Sequence, residues 1–170
     1  MRAYNTCFSM NSDPASVPAA RRRVDELTTG WGLSLDEDST IALRTVVSEM
    51  VTNALQHSGG REFTIRLRAS PAARRILVEI RDSSAALPRM LPPTDDAEDG
   101  RGMWLIQQLA LATGAEPTRR GKRVWATIAI PKQPLRCRQF LFRPGRVTRA
   151  ATARLTGLRR RPISVDAHTN

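Results

Sequence analysis

Residues 39–60, STIALRTVVSEMVTNALQHSGG, decide the fold of this 170-residue chain. Apolar side chains recur there at every third or fourth position and form one broad stripe, which predicts an amphipathic helix with one face in the core. Asp38 or Ser39 is a suitable N-cap, and the Ser-Gly-Gly of residues 58–60 is a suitable stop. The stripe consists of Leu43, Val46, Val47, Met50, Val51, Ala54 and Leu55.

Shorter periodic segments precede and follow this helix. Residues 4–10 are compatible with a short strand, and Pro14 opens a helical stretch that Gly30 closes. After the long helix, residues 63–67 and 76–80 alternate between apolar and charged side chains. This alternation predicts two half-buried antiparallel strands.

A second helix and a final strand complete the predicted pattern. The helix follows Gly100-Arg101-Gly102 and is closed by Gly114, and residues 124–130 alternate as a strand. The order β-α-α-β-β-α-β indicates an α+β fold. We expect a two-layer α/β sandwich in which helices cover one face of a mainly antiparallel, mixed sheet.

The charge of the chain is distributed unevenly. Residues 1–131 hold 17 Lys and Arg against 15 Asp and Glu, a net +2, whereas residues 132–170 hold ten against one, a net +9. The first three quarters therefore do not resemble a globally basic nucleic-acid-binding domain. We expect one domain over residues 1–131 and a basic, Arg-rich, flexible C-terminal extension over residues 132–170.

Composition also argues against several classes of protein. The chain has no apolar run long enough for a transmembrane helix, and its N-terminus lacks the apolar region of a signal peptide. Cys7 and Cys137 are two isolated thiols, which are too few for a disulfide framework or a tetrahedral zinc site. We therefore expect the protein in the reducing cytoplasm.

Three polar side chains lie in line on the flank of the long predicted helix. Glu49, Asn53 and His57 follow one another at intervals of four residues, so they occupy adjacent turns. Asn53 offers the kind of oxygen that Mg²⁺ binds, and Glu49 can accept a proton. The same spacing also suits a solvated helix flank, so the helix alone leaves both interpretations open.

Two further polar sites follow the hairpin. Asp82 ends the second strand of the hairpin, where a carboxylate can accept a hydrogen bond from an exocyclic amine or cap a turn. Gly100 and Gly102 flank Arg101 before a helix, where free N–H groups and an arginine attract phosphate. The pattern lacks the third glycine of a dinucleotide-binding fingerprint and the Gly-Lys-Ser/Thr of a Walker A loop. The loop of residues 84–99, rich in proline and acid, is a candidate lid.

These signals together are more specific than any of them alone. SEMVTNALQHSGG (48–60), VEIRDSSAALP (78–88) and EDGRGMWLIQQLA (98–110) resemble, in this order, the N, G1 and G2 boxes of the GHKL ATPases, which have the Bergerat ATP-binding fold. The compact plan is most similar to RsbW-type anti-sigma-factor serine/threonine kinases and to small actinobacterial ATP-binding proteins related to them. The resemblance runs from about residue 8 to residue 131.

The resemblance implies a role for each matching residue. Glu49 would be the base that activates the attacking hydroxyl, Asn53 would bind Mg²⁺, and Asp82 would accept from the adenine amine. The glycines at 100 and 102 would lie beside the phosphates. The residues expected to bind ATP and its metal are Asn53, Asp82, Gly100, Arg101, Gly102 and Met103.

The chain departs from the family pattern at two places. Ser84 stands where the family has a glycine after the G1 aspartate, and Lys122-Arg123 stand where the family often has Gly-Thr before the last strand. The threonine of that pair lies near adenine in the family. ATP binding is therefore a stronger expectation than efficient phosphoryl transfer.

The resemblance implies a Mg-ATP-dependent serine/threonine protein kinase of the anti-sigma type. It would phosphorylate a small antagonist protein, bind a sigma factor and so regulate transcription, and a homodimer is compatible with the resemblance because kinases of this type commonly pair. A second hypothesis is a catalytically weak ATP-binding module that sequesters a partner. A third is a nucleic-acid-binding protein, with binding only through the basic extension; that extension could also serve solubility or dock on an acidic surface.

Overall fold

The computed structural model describes residues 3–57, 59, 61–88 and 101–132. Gly100, most of the candidate lid and all but the first residue of the basic extension lie outside these ranges. Within them the chain forms β1 (Tyr4–Met10), α1 (Ser16–Gly30), α2 (Glu37–His57), β2 (Phe63–Ser70), β3 (Arg75–Asp82), α3 (Arg101–Leu109), β4 (Ala112–Thr118) and β5 (Gly121–Ala129).

The strands of the described residues form one sheet in the order β1-β2-β3-β5-β4, and every neighbouring pair is antiparallel. The predicted antiparallel hairpin is β2 and β3, with Ile65 opposite Ile80. The last strand, β5, pairs with β3, so β2, β3 and β5 are the three central strands of the sheet. In this register Asp82, the last residue of β3, lies opposite Lys122 near the start of β5.

One face of this sheet is buried beneath the helices. Alternate side chains of the three central strands are fully buried and pack with the apolar stripe of α2. Helix α2 contacts β3 and β5, and it also packs against α1 and α3. The two-layer α+β prediction is therefore confirmed, except that the sheet of the described residues is entirely antiparallel and not mixed. The central strands contribute Phe63, Ile65, Leu67, Ile76, Val78, Ile80, Val124, Ala126 and Ile128.

The other face of the sheet is lined with charged side chains. Glu79 is buried there, and its carboxylate accepts a hydrogen bond from Arg81 Nε at 2.8 Å. Arg123 Nε lies 3.7 Å from Glu79 Oε2, and Arg66 NH1 lies 4.0 Å from Glu79 Oε1. A buried carboxylate requires such partners. The arginines that the alternation placed opposite the apolar residues therefore surround one acid.

The start of α2 differs from the prediction. The helix begins at Glu37, and Asp36 rather than Asp38 or Ser39 caps it, because Asp36 Oδ1 accepts from the backbone N–H of Ser39 at 2.9 Å. Hydrogen bonds from the hydroxyl and then the N–H of Ser39 hold the pKa of Asp36 below its ordinary value. Several acidic and hydroxyl residues follow one another here, and only the backbone path selects the cap.

The prediction of one strand after α3 is wrong, because there are two. Helix α3 ends at Leu109, and Gly114 lies within β4 instead of closing the helix. A Cβ at Gly114 would lie 2.7 Å from Cζ2 of Trp125, so the glycine makes room for the indole. The sequence ATGAEPT lacks an apolar alternation, and Pro117 is tolerated because β4 is an edge strand.

The two-residue turn between β4 and β5 ends at Gly121, which lies against the end of β3. Its φ is +144°, and a Cβ there would overlap the carbonyl oxygen of Asp82 and lie 2.7 Å from Cα of Ser83. Residues other than glycine rarely adopt this backbone conformation. A glycine at this position therefore lets β5 begin directly beside Asp82.

We predict that Gly121→Ala lowers the free energy of unfolding by about 3 kcal/mol, because it adds a backbone clash to an unfavourable φ. Gly32→Ala is the matched control: its φ is +68°, but no heavy atom lies within 4 Å of the added Cβ. Gly32→Ala should lower the free energy of unfolding by only about 1 kcal/mol. Urea denaturation followed by circular dichroism measures both, and equal losses would contradict the close approach to β3.

Candidate functional site

The flank of α2 brings Glu49 and Asn53 together one helical turn apart. Both side chains are half-buried beside the apolar stripe. Asn53 Oδ1 is inaccessible to solvent and has no hydrogen-bond partner among the residues described. A buried acceptor left unpaired in this way costs about 1–3 kcal/mol. A carboxamide oxygen of this kind fits a ligand of Mg²⁺.

The first turn of α3 lies against Glu49. A Cβ at Gly102 would overlap Oε2 of Glu49, so the carboxylate reaches the helix backbone only because residue 102 is a glycine. Arg101 begins the helix and is exposed, whereas Met103 is buried and anchors the same turn in the core. Unpaired N–H groups at the first turn of a helix attract anions. This turn fits the binding of phosphate oxygens next to Glu49.

Asp82 uses its two carboxylate oxygens differently. Oδ1 accepts from the backbone N–H of Ser84 at 2.8 Å, which is the turn-capping arrangement considered from the sequence. Oδ2 is buried, lies 3.6 Å from Nζ of Lys122 and has no hydrogen-bond partner in the described part of the chain. The two functions considered for Asp82 are therefore compatible: Oδ1 caps the turn, while Oδ2 can still accept a hydrogen bond from a ligand.

The side chain of Lys122 is the part of this site that the sequence did not predict. It is 0% exposed, and its ammonium nitrogen also lacks a hydrogen-bond partner within the described ranges. Lysine is rarely fully buried, so composition favours an exposed position. The sequence does contain a signal for this burial, because every second residue of a strand faces the same side of the sheet. Lys122 therefore shares a face of β5 with Val124, Ala126 and Ile128, all of them buried.

The neighbouring Arg123 lies on the other face of β5. Its guanidinium is 3.3 Å from Glu116 Oε1 and 3.7 Å from Glu79 Oε2, so it belongs to the charged outer face. Of the two residues that replace the family's Gly-Thr, only Lys122 is therefore beside Asp82. The third member of the helix line, His57, is the last residue of α2 and is exposed.

A preformed metal cage is not found in the described residues: no three His, Cys, Asp or Glu side chains there come close enough to hold a metal ion. This is compatible with Mg²⁺, which commonly takes one or two protein ligands and completes its shell with water and substrate phosphates. The helices of the described ranges include none that is long and apolar enough to cross a membrane.

Comparison with known proteins assigns the family. The model of the histidine kinase-like ATPase domain matches residues 10–128. This match covers more than half of the chain and includes every residue of the site, so the chain belongs to the histidine kinase-like ATPase domain family. It carries an ATP-binding, kinase-like regulatory module. A search of curated proteins finds no match.

We predict that Asn53→Leu raises the free energy of unfolding of the ligand-free protein by about 1 kcal/mol, because it removes a buried acceptor that has no partner. Gln56→Leu, at an exposed position of the same helix, is the matched control and should change it by less than about 0.5 kcal/mol. Urea denaturation without nucleotide compares the two variants. A loss of stability on Asn53→Leu would show that Oδ1 has a partner in solution.

Proposed function

We propose that this protein is a Mg-ATP-dependent serine/threonine kinase of the anti-sigma-factor type. It phosphorylates a small antagonist protein and binds a sigma factor, and it thereby regulates transcription. The observation that carries the proposal is the contact between Glu49 and the first turn of α3 at Gly102. It sets a carboxylate base beside a phosphate-binding helix start, one helical turn from the unpartnered oxygen of Asn53.

The described residues supply the parts that nucleotide binding requires. Asp82 Oδ2 accepts from the exocyclic amine of adenine, and the α3 turn with Arg101 and Gly102 binds phosphate oxygens. Gly100, which lies outside the described residues, is expected to contribute to the same turn. Asn53 Oδ1 is the protein ligand for Mg²⁺, which neutralises phosphate charge when it is bound.

Glu49 acts as the general base in the proposed reaction. The hydroxyl oxygen of the antagonist's serine or threonine forms a bond to the γ-phosphorus, while the bond from that phosphorus to the bridging oxygen of ADP breaks. The hydroxyl proton passes to the Glu49 carboxylate. Transfer of this kind depends mainly on positioning and charge neutralisation, which the helix turn and Arg101 provide.

A second candidate is an ATP-binding module that sequesters its partner with little catalysis. It is favoured by Ser84, which replaces a family glycine and whose hydroxyl accepts a hydrogen bond from the backbone N–H of Ala86 at 3.1 Å, a bond that a glycine could not form. Such a bond restrains the first residues of the candidate lid. The third hypothesis, nucleic-acid binding, rests on the net +9 of residues 132–170, of which only Lys132 is described.

The remaining expectations continue as proposals from the sequence. They are the domain boundary at residue 131, a homodimer and a cytoplasmic location. The thiol of Cys7 is free and exposed, which is compatible with a reducing compartment.

We predict that Glu49→Gln lowers transfer of labelled γ-phosphate to the antagonist at least about 100-fold, because general-base catalysis contributes at least that much. ATP affinity should stay within a few-fold of the wild type. Glu37→Gln, at the exposed start of the same helix, is the control and should leave transfer unchanged.

The outcomes separate the three hypotheses. Transfer that survives Glu49→Gln would contradict the assigned base. Mg-ATP binding without transfer to any antagonist would favour the sequestering module. Tight DNA binding that is lost when Arg159, Arg160 and Arg161 are replaced by glutamine would favour the third hypothesis.

A further inference from the structure

Two buried groups of opposite charge meet where β3 ends and β5 begins. The side chains of Lys122 and Asp82 are 0% and 1% exposed, and Nζ of the first lies 3.6 Å from Oδ2 of the second. This separation is longer than an ordinary N–H···O hydrogen bond. Neither atom has a hydrogen-bond partner among the residues that the structure describes.

A buried ion pair of this kind is incompletely satisfied. Attraction between the charges offsets their desolvation only when further hydrogen bonds occupy the remaining lone pairs and protons. The ammonium of Lys122 has three protons to donate, and Oδ2 of Asp82 can only accept. The pair thus presents one donor and one acceptor side by side, and neither atom forms a hydrogen bond with a described residue.

Local backbone geometry brings the two side chains to this place. Lys122 directly follows Gly121, whose missing Cβ lets β5 start in contact with the backbone of Asp82 and Ser83. The register pairs Lys122 with Asp82, and both side chains face the helix side of the sheet. Arg123, one residue further, faces the opposite side and contacts Glu79 and Glu116.

The arrangement matches one edge of adenine. The Watson–Crick edge of this base carries an amine donor at N6 next to an unprotonated ring acceptor at N1, and proteins that read bases commonly use this edge. Guanine reverses both groups, since it has a carbonyl at position 6 and an N–H at position 1. A carboxylate next to an ammonium is therefore complementary to adenine at two adjacent atoms.

We propose that Lys122 is a base-specificity residue, which donates a hydrogen bond to N1 of adenine while Asp82 accepts from N6. The inference rests on the proposed ATP site at Asp82 and adds to it a second, charged contact with the base. The donor that Lys122 supplies is an ammonium group, which is charged. Hydrogen bonds to a charged group are stronger than those between neutral groups.

The test compares ATP with 1-deaza-ATP, in which a C–H replaces N1, by calorimetric titration of the full-length protein with Mg²⁺. We expect the wild type to bind ATP at least about tenfold more tightly, as the loss of one charged hydrogen bond predicts. The control ligand 7-deaza-ATP keeps N1 and N6 and should bind like ATP. Equal affinities for ATP and 1-deaza-ATP, or tighter binding of GTP than ATP, would overturn the inference.

Variants then assign the contact to Lys122. In Lys122→Met, which replaces the ammonium with an apolar group of similar length, the preference for ATP over 1-deaza-ATP should fall to about one. Lys132→Met is the matched control, because Lys132 is exposed and is the only other lysine of the chain. It should keep the wild-type preference. A preference that persists in Lys122→Met would overturn the assignment.

A measurement on the Lys122 ammonium does not depend on Lys122→Met being folded. In full-length protein labelled with ¹⁵N-lysine, Lys132→Met leaves a single side-chain ammonium signal, that of Lys122. ATP should shift this signal and 1-deaza-ATP should shift it far less. Equal shifts with both ligands would overturn the inference.

The same titrations separate this inference from the proposed function. If the wild type binds no ATP, both the proposed function and the proposed contact at Lys122 are wrong. A different outcome contradicts only the contact at Lys122. In that outcome the wild type binds ATP and 1-deaza-ATP equally well, and Asp82→Asn weakens the binding of ATP.

Discussion

The apolar stripe of α2 packs against the buried side chains of β3 and β5, and the position of the candidate site depends on that packing. Because the stripe faces the sheet, the flank with Glu49 and Asn53 is held at the edge of the core, where both side chains are half-buried. Helix α3 packs on the same helix. The first turn of α3 meets Glu49 for this reason, so one packing interface positions the proposed base, the proposed metal ligand and the proposed phosphate-binding turn.

Two close approaches at glycines refine this arrangement. Gly102 lets the Glu49 carboxylate touch the first turn of α3, and Gly121 lets β5 begin against the end of β3. In both places a single Cβ would overlap the side chain or the backbone of a candidate site residue. The candidate site therefore depends on the absence of a side chain at Gly102 and Gly121. Glycine is typical where the backbone must approach a ligand or another chain segment closely.

Most of the fold could be predicted because it follows from periodicity. The stripe of α2 and the alternation of β2, β3 and β5 have strong apolar patterns, and the structure confirms them. Strand β4 has no such pattern: it is an edge strand with Gly114 and Pro117, and its pairing with β5 determines its conformation. The cap at Asp36 was missed for a related reason, since neighbouring residues have the same capping chemistry.

The sequence by itself determined the two-layer class, the order of the main elements and the three segments that carry Glu49, Asn53, Asp82 and Gly102. Spacing along a helix or strand is a local property, so it can be read from the chain. Only the tertiary structure decided that Lys122 lies opposite Asp82 and close to its carboxylate, and that an acceptor on each of Asn53 and Asp82 is left without a partner among the described residues. These features arise from pairing between residues that are distant in sequence, and burial makes their unsatisfied atoms energetically significant.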